Sequence, residues 1–314
     1  VGEFQWDSNF QISFNRNTLK ALSGTTAASI VGYGQWSDVV CVSEIGKPLY
    51  NFYGYVVEGV YESLEDIENS PKTAKHPANG VYNRANTVWV GDLKYKDINE
   101  DGKIDDKDRT DIGSPLPKFT FGWNNTFRYK NFDLNIFLNG SYGNKVLNYS
   151  LMNGPSGGLA SMRSAWVNQN ATAIKDRAIL APIDPDKVYE SGNWYDDITN
   201  VKVVNSGTKT PRPTLNDPND NDRLSTRYIE DGSYLRIKNL TLGYTFPKKW
   251  MQKIKFDNIR IYCNIQNLYT FTKYSGYDPE VGASTQDSSG YAYGVDNGRY
   301  PSPTTYSFGV SLTF

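Results

Sequence analysis

Residues 119–142 read FTFGWNNTFRYKNFDLNIFLNGSY, and apolar side chains alternate with polar ones through most of this stretch. Phe119, Phe121 and Trp123 share one face of an extended chain, because successive side chains of a β-strand point to opposite sides. The pattern pauses at Tyr129-Lys130-Asn131 and resumes with Phe132. The stretch therefore predicts a hairpin of two long antiparallel strands.

The same alternation recurs in other parts of the chain, for example from Phe4 to Phe14 and from Tyr306 to the final Phe314. A slip of one residue in the pattern at Asn239 predicts a β-bulge. About seven strands are predicted, near residues 4–16, 50–61, 119–129, 131–142, 233–246, 256–271 and 304–314. The segment 50–61 is the weakest of them.

These strands are longer than the ~5–6 residues usual in globular proteins. Their length suits a tilted membrane-spanning strand of ~9–11 residues, and their polar face suits a water-filled lumen. Short links at 129–131 and 247–255 alternate with long ones at 62–118, 143–232 and 272–304, as in outer-membrane barrels with short periplasmic turns and long extracellular loops. An odd strand number would leave unpaired edges in lipid, so we expect only part of a barrel.

Composition narrows the function classes. The chain has 33 Lys+Arg and 34 Asp+Glu, a balance that disfavours a nucleic-acid-binding protein. Its mean hydropathy is −0.58, and no apolar run of ~18 residues predicts a transmembrane helix. Two cysteines and one histidine exclude a disulfide framework and a His-rich metal site. The sequence starts at Val1 without a signal segment, and we interpret it as a mature fragment or a truncated gene.

Several motifs occur in order along almost the whole chain: GDLKYKDINEDGKIDDKDR at 91–109, PKFTFG at 117–122, YKNFDL at 129–134, EDGSYLRIKN at 230–239, LGY at 242–244, QNL at 266–268 and YSGYDPE at 274–280. Together they resemble SusC/RagA-type TonB-dependent outer-membrane transporters. The resemblance implies an all-β fold, a transmembrane antiparallel β-barrel of which residues 1–314 are the C-terminal ~7 of 22 strands. The plug domain and the earlier strands would then be absent from this sequence. The closing FGVSLTF at 308–314 resembles a terminal β-signal for barrel assembly.

The resemblance also implies a function. Such proteins import oligosaccharides or peptides across the bacterial outer membrane, with a SusD-like surface lipoprotein at the barrel mouth. Energy comes from TonB through the plug segment, and the barrel contacts outer-membrane lipid. No enzymatic activity is implied, and the resemblance does not choose between a glycan and a peptide substrate.

A metal site is predicted in the loop from Asp97 to Asp108. Its oxygen-bearing residues have EF-hand or dockerin-like spacing, with Gly102 at the position that needs a sharp turn. The predicted Ca²⁺ ligands are Asp97, Asn99, Asp101, the Lys103 carbonyl, Asp105 and Asp108. A solvated Asp-rich turn is the alternative. The role of the ion would be structural.

Aromatic residues in the long loops are candidates for substrate contact, because sugar rings stack on aromatic faces. The candidates are Trp166, Trp194 and Tyr195 in the 143–232 loop and Tyr291 and Tyr293 in the 272–304 loop. The alternative is that they pack the loops together.

Two other functions stay open from the residues alone. A soluble Ca-binding carbohydrate-binding β-module would share the alternation and the acidic loop. A secreted glycan-degrading enzyme would need a convergent acid pair, and no pair is singled out by spacing.

Overall fold

The computed structural model describes residues 3–22, 29–34, 39–153, 175–190, 192–214, 217–251, 256–283 and 291–314. Over these ranges the helices are short: α1 (Leu64–Glu68), α2 (Tyr149–Asn153) and α3 (Lys248–Met251). The strands are β1 (Phe4–Ser13), β2 (Ser29–Tyr33), β3 (Val39–Glu44), β4 (Asn51–Gly54), β5 (Val57–Val60), β6 (Lys72–Thr73), β7 (Leu93–Tyr95), β8 (Lys103–Ile104), β9 (Thr110–Gly113), β10 (Phe119–Tyr129), β11 (Phe132–Tyr142), β12 (Lys145–Asn148), β13 (Leu180–Pro182), β14 (Val201–Val203), β15 (Ile229–Asp231), β16 (Tyr234–Thr245), β17 (Asn258–Thr272), β18 (Val295–Asp296) and β19 (Thr305–Thr313).

Within the described ranges, no helix combines the length and the apolar composition needed to span a membrane.

One sheet contains all the long strands, in the order β1-β10-β11-β16-β17-β19 with every pair antiparallel. Tyr129 pairs with Phe132 across a two-residue turn, which confirms the predicted hairpin. The register shifts between Ile237 and Asn239 opposite β17, where the slip in the sequence pattern predicts a bulge. The predicted all-β class is therefore confirmed.

The two faces of the sheet differ in chemistry because the register keeps like positions side by side. On the apolar face, Phe127 lies beside Leu134, which lies beside Leu242 and then Cys263. Many side chains of the apolar face are exposed, and Phe308 is 81% exposed. Such a continuous exposed apolar surface needs a non-aqueous neighbour.

Two polar residues interrupt the apolar face and are satisfied by tryptophans. Trp6 Nε1 donates to Asn125 Oδ1 at 3.1 Å, and Trp123 Nε1 donates to Ser8 Oγ at 2.8 Å. A polar side chain facing lipid would otherwise lose its hydrogen bonds with water without replacement. The hydrogen bonds from the neighbouring indole groups therefore allow Ser8 and Asn125 to lie on the apolar face.

The polar face carries ion pairs and amide networks between strands. Arg260 pairs with Asp133 through two bonds of 2.6 and 3.0 Å that pass over Gly243 of the intervening strand. Asn135 Nδ2 donates to Asn124 Oδ1 at 2.9 Å. These groups suit a face in contact with water.

The segment 50–61 is not a strand of the large sheet, so the predicted count of seven strands was too high by one. It forms β4 and β5, which pair with β3, β9 and β7. Residues 50–61 cannot enter the large sheet between β1 and β10, because these two strands pair directly with each other. The other edge of β10 is paired with β11.

The six long strands have two unlike ends. The short-turn end carries the turns at 130–131 and 246–257, and the loop end carries three long connections. We call residues 14–118 the first connection, 143–233 the second and 273–304 the third. The first connection leaves β1 and returns to β10 at the loop end.

Candidate functional site in the loop layer

The three connections pack into one body at the loop end, which we call the loop layer. The first and second connections share backbone bonds, such as Tyr55 N–H to the Leu224 carbonyl at 2.9 Å. In the second connection, β12 pairs with β18 of the third. Two hydrophobic cores support the layer, one around Trp89, Leu93 and Tyr95 and another around Phe52, Leu147 and Tyr228. Burial of these side chains stabilises the layer.

A cavity of about 630 Å³ lies between the first and second connections. Its polar wall includes Tyr55, Asp106, Arg109 and Arg223, and Ile104 and Leu224 contribute apolar surface. The Tyr55 hydroxyl donates to Asp106 Oδ1 at 3.2 Å. Burial raises the pKa of Tyr55, so its hydroxyl stays protonated and able to donate at neutral pH.

The two cavity arginines are held in fixed positions. The Arg223 guanidinium stacks on Tyr55 and Tyr95, with 5.0 and 4.7 Å from Cζ to the ring centroids. It also donates to the Asn219 carbonyl at 2.7 Å. Arg109 donates to the carbonyls of Val39 and Tyr53. The cavity therefore presents prepositioned charge of both signs, which suits a polar solute.

A buried polar network also joins the first connection to the second. Asp92 Oδ1 lies 2.9 Å from Arg212 Nε, with both side chains almost inaccessible to solvent. Asn221 Nδ2 donates to Asp217 Oδ1 at 2.6 Å, and Asn221 Oδ1 accepts from the Leu93 N–H at 2.7 Å. Burial raises the pKa of Asp217, against the hydrogen bonds that it accepts. Such a network fixes the relative position of the two connections.

The third connection is attached to the sheet by Arg236. This residue of β16 is 2% exposed and bonds Asp278 Oδ1 at 2.5 Å, Glu280 Oε2 at 2.7 Å and Thr270 Oγ1 at 2.8 Å. The Ser302 N–H donates to the other Asp278 oxygen at 3.1 Å. The motifs at 230–239 and 274–280 are thereby brought into direct contact.

The predicted Ca²⁺ loop begins after β7 and ends in a single 3₁₀ turn at Asp106–Asp108. Asp97 Oδ2 accepts from the Gly102 N–H at 2.7 Å, while Asp97 Oδ1 is buried without a hydrogen-bond partner. Gly102 has φ +80°, the left-handed conformation that favours glycine. Asp108 is buried and accepts from the N–H groups of Ile98 and Asp105 at 2.8 Å each.

The other predicted metal ligands are occupied by turns within the loop. Asn99 Oδ1 accepts from the Asp101 N–H, Asp101 Oδ1 from the Lys103 N–H, and Asp105 Oδ1 from the Lys107 N–H. Across the described parts of the chain, no group of three or more His, Cys, Asp or Glu side chains is arranged to hold a metal ion.

The aromatic candidates lie in two separate places. Trp194 and Tyr195 contact each other edge-to-face at 5.7 Å, and Trp194 packs against the first core. The Arg84 guanidinium covers the Tyr195 ring at 4.5 Å. Tyr293 stacks on Tyr50 at 5.8 Å beside the second core, and Tyr291 is partly exposed nearby. Trp166 lies outside the described residues.

Sequence reasoning missed the cavity arginines and the Asp92–Arg212 pair. Asp92 and Arg109 lie in the 91–109 motif, but their partners are not apparent from it. Arg212 and Arg223 lie outside the motifs, and the carboxylate and the rings that they contact are distant in the chain. Arg236 and Asp278 both occur in motifs that the resemblance singles out, so that signal was available. Their direct contact was not predicted.

Comparisons with known proteins agree with this architecture. No family model matches the chain. It is 30% identical over 320 residues to TonB-dependent receptor P3 of Formosa agariphila, and 24% identical over 313 residues to TonB-dependent receptor SusC of Bacteroides thetaiotaomicron. Each match covers 99% of this chain but 27% and 25% of the relatives, so the chain spans about a quarter of their length.

Among solved structures, the chain is similar to the RagAB peptide importer in its open-open state. The TM-score is 0.60 at 17% identity, with 100% of this chain and 27% of that chain covered. The closed-closed state gives a TM-score of 0.60 at 18% identity. The predicted partial-barrel fold and the outer-membrane location are confirmed. The apolar face of the sheet is its lipid-facing surface, and the polar face lines the lumen.

Proposed function

The chain is homologous along nearly its whole length to SusC-like TonB-dependent receptors, and on this premise we propose that it is part of an outer-membrane importer of oligosaccharides or peptides. The observation that carries the proposal is the six-stranded sheet, which has one lipid-compatible face, one hydrated face and a folded loop layer at one end.

The loop layer also supports the proposal, because an incoming solute would contact this part of the transporter first. Its cavity of about 630 Å³ lies between the first and second connections and carries fixed arginines and carboxylates. Such groups bind hydroxyls, amides and charged termini alike, which both proposed substrate classes contain. No catalytic step is proposed.

We also propose two protein partners for the whole transporter. A SusD-like surface lipoprotein would cover the loop layer, and TonB would deliver energy through a plug segment. Support for these partners comes from the homology to SusC and from the likeness to the RagAB importer.

The experiment that tests import uses a strain in which the whole gene is deleted. We expect the deletion to abolish growth on one oligosaccharide or peptide mixture, with growth on monosaccharides and free amino acids unchanged. Affinity purification of the chromosomally tagged receptor should recover a surface lipoprotein. Normal growth of the deletion strain on every oligosaccharide and peptide tested would contradict the proposal.

We also propose that the aromatic candidates of the loop layer contact the substrate, because sugar rings stack on aromatic faces. Tyr291 is the best residue to test because it is exposed, whereas Tyr293 stacks on Tyr50. Trp194 packs against the first core, and Arg84 covers the Tyr195 ring. Replacing Tyr291 by Ala should weaken substrate binding, while Tyr300→Ala, an exposed tyrosine of the same connection, serves as the matched control. Isothermal titration with the imported substrate measures the difference.

We further propose that the 97–108 loop binds Ca²⁺ as a structural ion. The supporting observation is the buried, unpartnered Asp97 Oδ1 next to the Gly102 turn. Asp101 and Asp105 bond the Lys103 and Lys107 N–H groups through Oδ1, so the second oxygen of each carboxylate can coordinate the ion. Chelation should lower the melting temperature of the loop layer in the native protein and not in the Asp97→Asn variant. Equal melting with and without Ca²⁺ would exclude the ion.

The exposed apolar face of the six-stranded sheet argues against the alternative of a soluble carbohydrate-binding module. A soluble sandwich covers its apolar strand faces with a second sheet. Here the apolar face is open, with Trp6 58% exposed, and the outer-membrane location supplies lipid as its neighbour.

A further inference from the structure

The lipid-facing surface contains a groove of about 420 Å³ near the short-turn end. Its walls include Phe132, Leu242, Ile261, Cys263, Phe308 and Val310, all of them on the apolar face. Cys263 lies between Leu242 and Phe308 in the register, so a small side chain sits between two large ones. The backbone of Gly243 and Gly309 also borders the groove, but a side chain at either position would point to the polar face.

An aromatic path leads from this groove to the turn at 246–257. Phe132 contacts Tyr244 at 4.8 Å between ring centroids, Tyr244 contacts Phe246 at 5.2 Å, and Phe246 contacts Trp250 at 6.4 Å. Trp250 is 56% exposed. Tryptophan at the edge of a lipid-facing surface marks the level of the lipid headgroups.

Two lysines lie in the same short helix as Trp250. Lys248 and Lys249 of α3 are exposed, and neither has an ion-pair partner among the residues that the structure describes. At the neighbouring turn, by contrast, Lys130 is paired with Glu3 at 3.6 Å.

We propose that the groove and its lysine edge bind one anionic glycerophospholipid of the periplasmic leaflet. One acyl chain lies along the row formed by Leu242, Cys263 and Phe308, and the phosphate lies at Lys248 and Lys249. Charge complementarity and the continuity of the groove with the lipid-facing surface support this occupant. The inference depends on the outer-membrane location and is independent of the imported substrate.

The lysine half of the site is tested with the full-length receptor extracted from outer membranes. The probes are phosphatidylglycerol and a diacylglycerol with the same chains, and native mass spectrometry counts retained molecules. Each lysine near an anionic headgroup contributes about fivefold in affinity. We expect Lys248→Ser with Lys249→Ser to reduce phosphatidylglycerol retention by about 25-fold. Lys130→Ser, a lysine at the same end, should leave it unchanged.

The groove half is tested by filling it. Cys263→Trp should abolish retention of both probes, whereas Ile136→Trp, on the same face and outside the groove, should not. Retention unchanged in the lysine variant or in Cys263→Trp overturns the proposal. If retention decreases in the lysine variant and not in Cys263→Trp, the lysines contact a lipid headgroup at the surface and the groove binds no acyl chain. Heat-modifiable migration on gels confirms that each variant is folded.

Discussion

Arg236 is the residue on which the position of the third connection most directly depends. Its guanidinium reaches two carboxylates and a hydroxyl, so each of its three nitrogen atoms has a hydrogen-bond partner although the residue is almost completely buried. Removing one partner of such a pair leaves an uncompensated buried charge, which costs far more than loss of an exposed pair. The two carboxylates, Asp278 and Glu280, belong to the segment that enters the third connection.

Replacing Arg236 by Met should release the third connection, with a local loss of about 3–5 kcal/mol. Hydrogen exchange of residues 274–282 measures the effect. The matched control is Arg128→Met, because the Arg128–Asp7 pair also joins neighbouring strands but is exposed. Equal protection in both variants would show that Arg236 does not hold the connection.

The pH dependence of this attachment follows from Asp278. Burial alone would raise its pKa, but the N–H groups of Glu280 and Ser302 together with Arg236 hold the pKa below its ordinary value of 3.8. The folded pKa is therefore lower than the unfolded one, so this stabilisation is present above about 3.8 and is lost as the pH falls through the folded value. Protection of residues 274–282 should stay constant from neutral pH to about 4 and then decrease. Asp278→Asn should lack this transition, and an identical profile in that variant would assign the transition to another group.

At the scale of elements, β16 determines how closely its neighbours approach on the lumen side. Gly243 lies between Asp133 of β11 and Tyr262 of β17 in the register. The Arg260–Asp133 pair crosses above it, and a Cβ at Gly243 would lie 2.4 Å from Arg260 Nη2 and 2.5 Å from Asp133 Oδ1. The glycine thus permits an ion pair between strands that are not adjacent.

Gly243→Ala should displace this ion pair and destabilise the sheet by about 1–3 kcal/mol. The temperature at which the protein loses heat-modifiable migration is a suitable measurement. Gly122→Ala on β10 is the control, since its nearest contact would be the Phe137 ring at 3.3 Å, which can shift. A decrease as large for Gly122→Ala as for Gly243→Ala would contradict the ion-pair explanation.

At the scale of the whole molecule, all three long connections emerge at one end and interlock. We propose that the loop layer faces the cell exterior and the short turns face the periplasm, as long loops and short turns do in outer-membrane barrels. Cys41 is buried and Cys263 lies on the apolar face, so the native thiols give a low background for labelling with polar reagents.

This orientation is tested by cysteine labelling in intact cells. Val188 of the second connection is 90% exposed, and Val188→Cys should react with a membrane-impermeant maleimide. Lys130→Cys at the short-turn end should react only after the outer membrane is permeabilised. The reverse result would invert the proposed topology.

The sequence by itself determined the long strands, their two faces and the bulge near Asn239, because alternation and strand breaks are local properties of neighbouring residues. It also located the acidic loop, although the occupancy of that loop stays a prediction. Only the tertiary structure decided that residues 50–61 belong to the loop layer, since short buried strands carry the same alternation as long lipid-facing ones. Only the tertiary structure shows how the connections are attached. Arg236 contacts Asp278, which is 42 residues away in the sequence, and Arg212 contacts Asp92, which is 120 residues away. Contacts between such distant residues depend on how the chain folds back, which no local periodicity records.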